Sequence, residues 1–233
     1  MPLLPYFLQQ VLEDRFRPIR RVDLATSRKV LRQIAPTWSG GRRRPLRAIN
    51  RIIVHQTGIE FGVNDKQVKR AGSIAEAHRR RFLKVKYHYV VTTAGEALQI
   101  HPLERHTYHA GKRANRWTVG VAFEGRFPRF ERERADRHTK LTSFMLDVYS
   151  SAFTSILEDI HLILRTAEPG MAEGLPVSTH RQISKNRKAD PGELLMQRVV
   201  IPAIPRTPAA LDLDWVVGSG SKAPKEWRPG WEA

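Results

Sequence analysis

The chain has nine histidines and no cysteine, so any metal it holds must be bound by imidazole and carboxylate rather than thiolate. Two histidines stand out by position. His55 follows the apolar run Ile52-Ile53-Val54 and precedes Gln56-Thr57-Gly58, where a strand gives way to a turn. His180 repeats this arrangement after Val177-Ser178-Thr179. In α/β sheets, strand ends that feed loops are where ligands bind. Asp190 lies ten residues beyond His180, and the following Pro191-Gly192 would pin a loop and open a helix. Two imidazoles and one carboxylate compose a zinc site with a position left for water, the make-up of a catalytic rather than a structural metal. Two histidines and an aspartate far apart in sequence also occur in most chains, so spacing alone leaves the metal site one reading among others. The remaining histidines, including His138 in a charged stretch and His161 in a helical one, read as ordinary packing or solvent-facing residues.

The elements that must position these groups follow from hydrophobic periodicity. Ile52-Ile53-Val54 is fully apolar, as a central strand requires. Residues 73–83 carry a helical pattern. Residues 87–93 and 96–100 are β-rich runs around Thr93-Ala94-Gly95, a predicted hairpin, and residues 118–123 give another strand. A long helix is expected from Thr139 to about Arg165, with Met145, Val148, Tyr149, Ala152, Ile156, Ile160 and Ile163 on one stripe. A short strand at 177–179 and a last helix from Pro191 through Val199 complete the pattern. Strands interleaved with helices imply an α/β fold, a central β-sheet flanked by helices.

Composition bounds the ends and the partners. Residues 1–47 read as a basic N-terminal segment with short amphipathic helices near Leu8–Leu12 and Leu24–Ile34, residues 48–204 as the regular domain, and residues 205–233 as an extended tail bearing Pro, Gly-Ser and Trp. Lys and Arg number 40 against 23 Asp and Glu, a formal charge of +17, which favours anionic polymers or surfaces. No helix-turn-helix, RNP or zinc-finger pattern accompanies that charge, so a dedicated nucleic-acid role is not expected. No apolar run approaches the ~20 residues of a membrane helix, and the N-terminus lacks the basic start of a secretory signal.

Five blocks in order carry a family resemblance: Ile52-Ile53-Val54-His55; Tyr87-His88-Tyr89-Val90-Val91; His109-Ala110-Gly111; Asn115 through Gly125; and His180 with Arg187-Lys188-Ala189-Asp190-Pro191-Gly192. Together they resemble the type 2 N-acetylmuramoyl-L-alanine amidases, the superfamily that includes phage lysozyme-type amidases, muropeptide-recycling amidases and peptidoglycan recognition proteins. The resemblance spans roughly residues 49–200. It implies a mixed β-sheet with helices on its faces and a zinc ion (Zn2+) in a surface groove. By motif, His55, His180 and Asp190 look like the metal ligands, Tyr87 and Lys188 like catalytic residues, and His109 and Asn115 like groove-lining substrate contacts. The implied reaction is hydrolysis of the amide between N-acetylmuramic acid and L-alanine in peptidoglycan.

Two departures matter. The recycling branch carries a glutamate where this chain has Ala122, and it lacks the tyrosine present here as Tyr87, while the Lys-x-Asp-Pro-Gly ending is closer to that branch. Lys86 stands where glycine is usual. The expected role is therefore a phage or prophage endolysin: a monomer made without a signal peptide and reaching the wall through a holin or a secretion machine. A recycling amidase and a non-catalytic peptidoglycan-binding module are the alternatives. The basic segment and the tail, outside the resemblance, are expected either to add affinity for anionic wall or outer-membrane polymers or to pack on the domain.

Overall fold

The structure, a computed structural model, describes residues 42–58, 87–93, 97–127, 142–171 and 174–228. The expected helices near Leu8, Leu24 and residues 73–83 lie outside them. Six strands form one mixed sheet: β1 (Arg51–Gln56), β2 (Tyr89–Val91), β3 (Ala97–Gln99), β4 (Thr118–Phe123), β5 (Pro176–Thr179) and β6 (Ala210–Leu211). Their order is β3-β2-β4-β1-β5-β6. Every neighbouring pair is parallel except the β2–β3 hairpin. The two central strands are the longest and are deeply buried: all six residues of β4 and the four inner residues of β1 are covered. That agrees with strands covered on both faces.

One face is covered by the long helix α2 (Ser143–Ala167), which follows the short helix α1 (Gly111–Ala114). Thr142 caps α2, its side chain accepting from the Met145 N–H; the expected start at Thr139 lies outside the described residues. Val148, Tyr149, Ala152, Phe153, Ile156, Leu157, Ile160 and Leu164 are buried at helical spacing against Ile52, Val54, Val119, Val121 and Phe123. The last helical run begins at α3 (Glu193–Leu195), continues through a π-helical turn at Met196–Val200, and ends with Ile201–Ala203. It joins the same core through Leu195, Met196, Val199 and Val200. Among the described residues no helix is long and apolar enough to cross a membrane.

Strand alternation sends the other residues of β1 and β4 to the opposite face. There Ile53 packs with Ala110, Ala114 and Ile183, and Ala122 with Val90 and Leu98. His55, two residues beyond Ile53, shares that second face. Register sets Gly120 beside Ile53 and Ala122 beside His55.

Candidate metal centre

Three elements bring the ligand candidates together. His55 is the penultimate residue of β1. His180 opens a single 3-10 turn (His180–Gln182) straight after β5, the parallel neighbour of β1. Asp190 ends the loop that returns to them, and the Arg181 N–H donates to the Asp190 carbonyl at 3.0 Å. The ligating atoms of His55, His180 and Asp190 all lie within 4.8 Å of one another. His55 Nδ1 is 3.2 Å from His180 Nδ1 and 3.6 Å from Asp190 Oδ2, and His180 Nδ1 is 2.7 Å from that same oxygen. Tetrahedral zinc with bonds of about 2.0–2.1 Å separates its donors by about 3.3 Å, a value these distances bracket. Nitrogen and carboxylate donors also suit zinc chemically. The three side chains form a group able to hold a metal ion.

Hydrogen bonds fix which nitrogen His55 offers. His109 Nε2 faces two acceptors, the Thr118 carbonyl and Thr118 Oγ1, each at 3.2 Å. Thr118 Oγ1 already donates its proton to the Ala114 carbonyl at 2.8 Å. His109 Nε2 must therefore carry a hydrogen, and in the neutral ring Nδ1 is left as an acceptor. Nδ1 lies 3.0 Å from His55 Nε2, which donates to it. The lone pair of His55 is then on Nδ1, toward His180 and Asp190. A metal-binding histidine ordinarily has its second nitrogen fixed by an outer partner in this way; here the partner is a second, buried imidazole.

Gly120 makes room for that partner: a Cβ there would sit 2.7 Å from the His109 ring. Asn115 is buried, and its Oδ1 accepts from the Ala110 N–H at 2.7 Å, tying down the loop that carries His109. Arg44 is buried as well. Its Nη1 donates to the carbonyls of Thr118 (2.7 Å) and Asn115 (3.0 Å), and its Nε to that of Leu103 (3.0 Å). The guanidinium thus gathers the backbone around His109. Burial lowers its pKa to about 10.

Asp190 is clamped to β1 from the other side. Its Oδ1 accepts from the Gln56 N–H at 2.8 Å. The Gln56 side chain donates to the Ala189 carbonyl and accepts from the N–H groups of Phe127 and Gly192. Burial would raise the Asp190 carboxyl, but its contacts with the His180 and His55 rings outweigh that and hold the group below the usual carboxylate range. Burial lowers His55 to about 4, and it lowers His109 well below its ordinary value. Both rings are therefore neutral at pH 7, the form a ligand and its hydrogen-bonded partner require. Tyr87, just before β2, sits with its ring 4.9 Å from that of His55. Burial and the nearby Asp190 charge raise its phenol, so it stays protonated. Lys188 is exposed at the end of the 3-10 turn Lys185–Arg187, two residues before Asp190.

These values imply an acid-sensitive metal-free fold. An unfolded histidine titrates near ~6.5, while native His55 does so at about 4. Between those values the unfolded chain binds a proton that the folded chain refuses, so stability rises with pH across the window and is lost as pH falls through it. His88 and His109, also lowered by burial, act in the same direction. In chelator, the melting temperature is expected to fall steadily from about pH 7 to about pH 4.5, with His55 alone contributing on the order of 3 kcal/mol when fully titrated. A melting temperature flat across that range would contradict the burial of these rings.

The model of the family described as N-acetylmuramoyl-L-alanine amidase matches residues 45–193. The chain belongs to that amidase family. Solved structures similar to it include the peptidoglycan recognition protein SD of Drosophila, at 20% identity over 67% of this chain and 81% of that one, with a TM-score of 0.45. PGRP-SA of Apis mellifera is 14% identical over 72% of this chain and 88% of that one, TM-score 0.44. The N-acetylmuramoyl-L-alanine amidase LysC of Clostridium intestinale URNW is 14% identical over 67% and 86%, TM-score 0.40. No curated protein matches the chain. The amidase-family region contains His55, Tyr87, His109, Asn115, His180, Lys188 and Asp190, together with Gln56 and Gly120, which the sequence reading did not assign to the site. Arg44 and everything after Glu193 lie outside the amidase match.

Proposed function

We propose that this chain is a zinc-dependent N-acetylmuramoyl-L-alanine amidase that cleaves the bond between N-acetylmuramic acid and L-alanine in peptidoglycan, and that it serves as a phage or prophage endolysin. The observation that carries the reading is the convergence of His55 Nδ1, His180 Nδ1 and Asp190 Oδ2, with the hydrogen-bond chain through His109 selecting the His55 nitrogen. Bound there, zinc supplies Lewis acidity, lowering the pKa of water toward ~7 and polarising a carbonyl. The chain's own residues do the rest. His109 holds the His55 ring in orientation, and Gln56 holds Asp190. The Lys188 ammonium provides positive charge for the oxyanion that develops as the lactyl amide is attacked. The protonated Tyr87 phenol beside His55 can orient water and assist proton delivery to the departing L-alanine nitrogen.

Two features support a polymeric substrate over a soluble recycling fragment. The β4 residue beside His55 is the buried Ala122, so no carboxylate stands where the recycling branch keeps its glutamate. The charge of +17 suits an anionic polymer, which a small muropeptide does not require. In this reading the protein acts on the wall after release by a holin or secretion machine. Product analysis tests it: digestion of purified sacculi is expected to free the α-amino group of L-alanine. Release of new reducing sugar ends or of cross-link amines instead would overturn the assignment.

A further inference from the structure

The loop that carries two of the three ligand candidates is not held by the family region alone. Chain beyond residue 193, where the family match ends, returns to it. β6 pairs in parallel with β5, and the strand that delivers His180 thereby gains an outer neighbour. The path then runs along residues 181–183. The Gln182 side chain donates to the carbonyls of Asp212 (2.9 Å) and Trp215 (2.8 Å). The Val217 N–H donates to the Gln182 carbonyl at 3.0 Å, and the Ser221 N–H to the Arg181 carbonyl at 2.9 Å. The two residues immediately after His180 are therefore both pinned through their backbone. Arg181 passes the constraint on, because its N–H donates to the Asp190 carbonyl at 3.0 Å.

Approach between the two segments is close. A Cβ at Gly220 would lie 1.9 Å from the Gln182 carbonyl oxygen and 2.7 Å from the Ile183 nitrogen, so only glycine fits. Both ends of this segment are anchored. Arg51 of β1 pairs with Asp212 at 2.8 Å and stacks over the Trp215 ring at 4.1 Å. Trp227 is buried, donates from its indole N–H to the Glu193 carboxylate, and lies under the Arg181 guanidinium at 5.0 Å.

We infer that residues 210–227 are a strap that positions His180 and Asp190 for a divalent metal, so that zinc affinity depends on a segment outside the family region. The inference rests on the metal reading proposed above. It assigns positioning roles to Gly220 and Trp227, neither of which touches a ligand atom.

The test uses the full chain, stripped of metal and titrated with Zn2+ against a chromophoric chelator, with the Co2+ absorption spectrum as a second readout. Gly220→Ala is expected to weaken zinc binding by about 10-fold or more, in the range found for outer-shell partners, and to change the Co2+ ligand-field bands. Gly170→Ala, where an added Cβ meets nothing within 4 Å, is expected to match wild type. Trp227→Phe keeps a packed ring but loses the indole N–H, and is expected to weaken binding by about 10-fold; it carries the test if Gly220→Ala does not fold. Folded variants with lowered melting temperatures but wild-type zinc affinity and Co2+ spectra would overturn the strap. If wild type bound neither ion, the metal reading itself would fall and the inference with it.

Discussion

Replacing Asp190 with asparagine is expected to leave the chain folded, to weaken zinc binding by at least about 100-fold, more than the loss of an outer-shell partner, and to lower amidase turnover by about a thousandfold or more. The amide keeps the carboxylate's shape, and its oxygen can still accept the Gln56 N–H that Asp190 Oδ1 takes at 2.8 Å. What changes is the atom facing His180 and His55. An NH2 group there offers donors where a cation needs a lone pair, and it removes the negative charge. The carboxylate is already ionised under all ordinary conditions, held down by its histidine partners despite burial. Zinc analysis of the purified variant beside a turnover assay reads both effects. A variant with a full complement of zinc and wild-type turnover would exclude Asp190 as a ligand.

Lys188→Met is expected to separate chemistry from metal binding. The side chain is exposed, two residues before Asp190, so its loss leaves no buried group unpartnered. If its ammonium meets the oxyanion only as charge develops, kcat should fall by about 10²–10³, the usual effect of removing one such donor, with KM little altered. Zinc content is expected to stay at wild type, because none of the hydrogen bonds that fix the ligand atoms involves Lys188. Were Lys188 only one more solvated cation beside Lys185 and Arg187, turnover would change by less than about twofold. Steady-state kinetics on a soluble muropeptide decides between these outcomes.

Residues whose roles depend on pattern were legible in the sequence. β1 and β4 are visible as apolar runs because both of their faces are covered. The α2 stripe is visible because burial on one side of a helix repeats every three to four residues; it omitted Phe153, Leu157 and Leu164, which widen the buried face. His55, His180 and Asp190 stand out as candidates because strand ends and a Pro-Gly turn mark where side chains can converge and because the family motif covers them, and the structure brings the three together. The groups that hold them do not stand out. Gln56 reads as the start of a turn, yet it is the last residue of β1, and its side chain bridges Ala189, Gly192 and Phe127.

Arg44 is hidden inside the run Arg42-Arg43-Arg44, since nothing in the residue type tells a cation buried among carbonyls from a solvated one. Gly120 looks like any strand glycine until the His109 ring is seen above it. The 210–227 segment is the extreme case. Its proline, glycine and serine content signals chain without regular structure, while much of its contact with residues 181–183 is made by backbone N–H and C=O groups. Every residue carries those groups, so they leave no mark in composition.

Purified sacculi digested by protein stripped of metal, and then by the same protein with one equivalent of zinc restored, give the most direct reading of the account. Free N-terminal L-alanine is expected only after zinc is restored, and at least about a thousandfold more slowly with Asp190→Asn. Equal release by the stripped and restored protein, or release by the Asp190 variant at the wild-type rate, would contradict a zinc centre built from His55, His180 and Asp190.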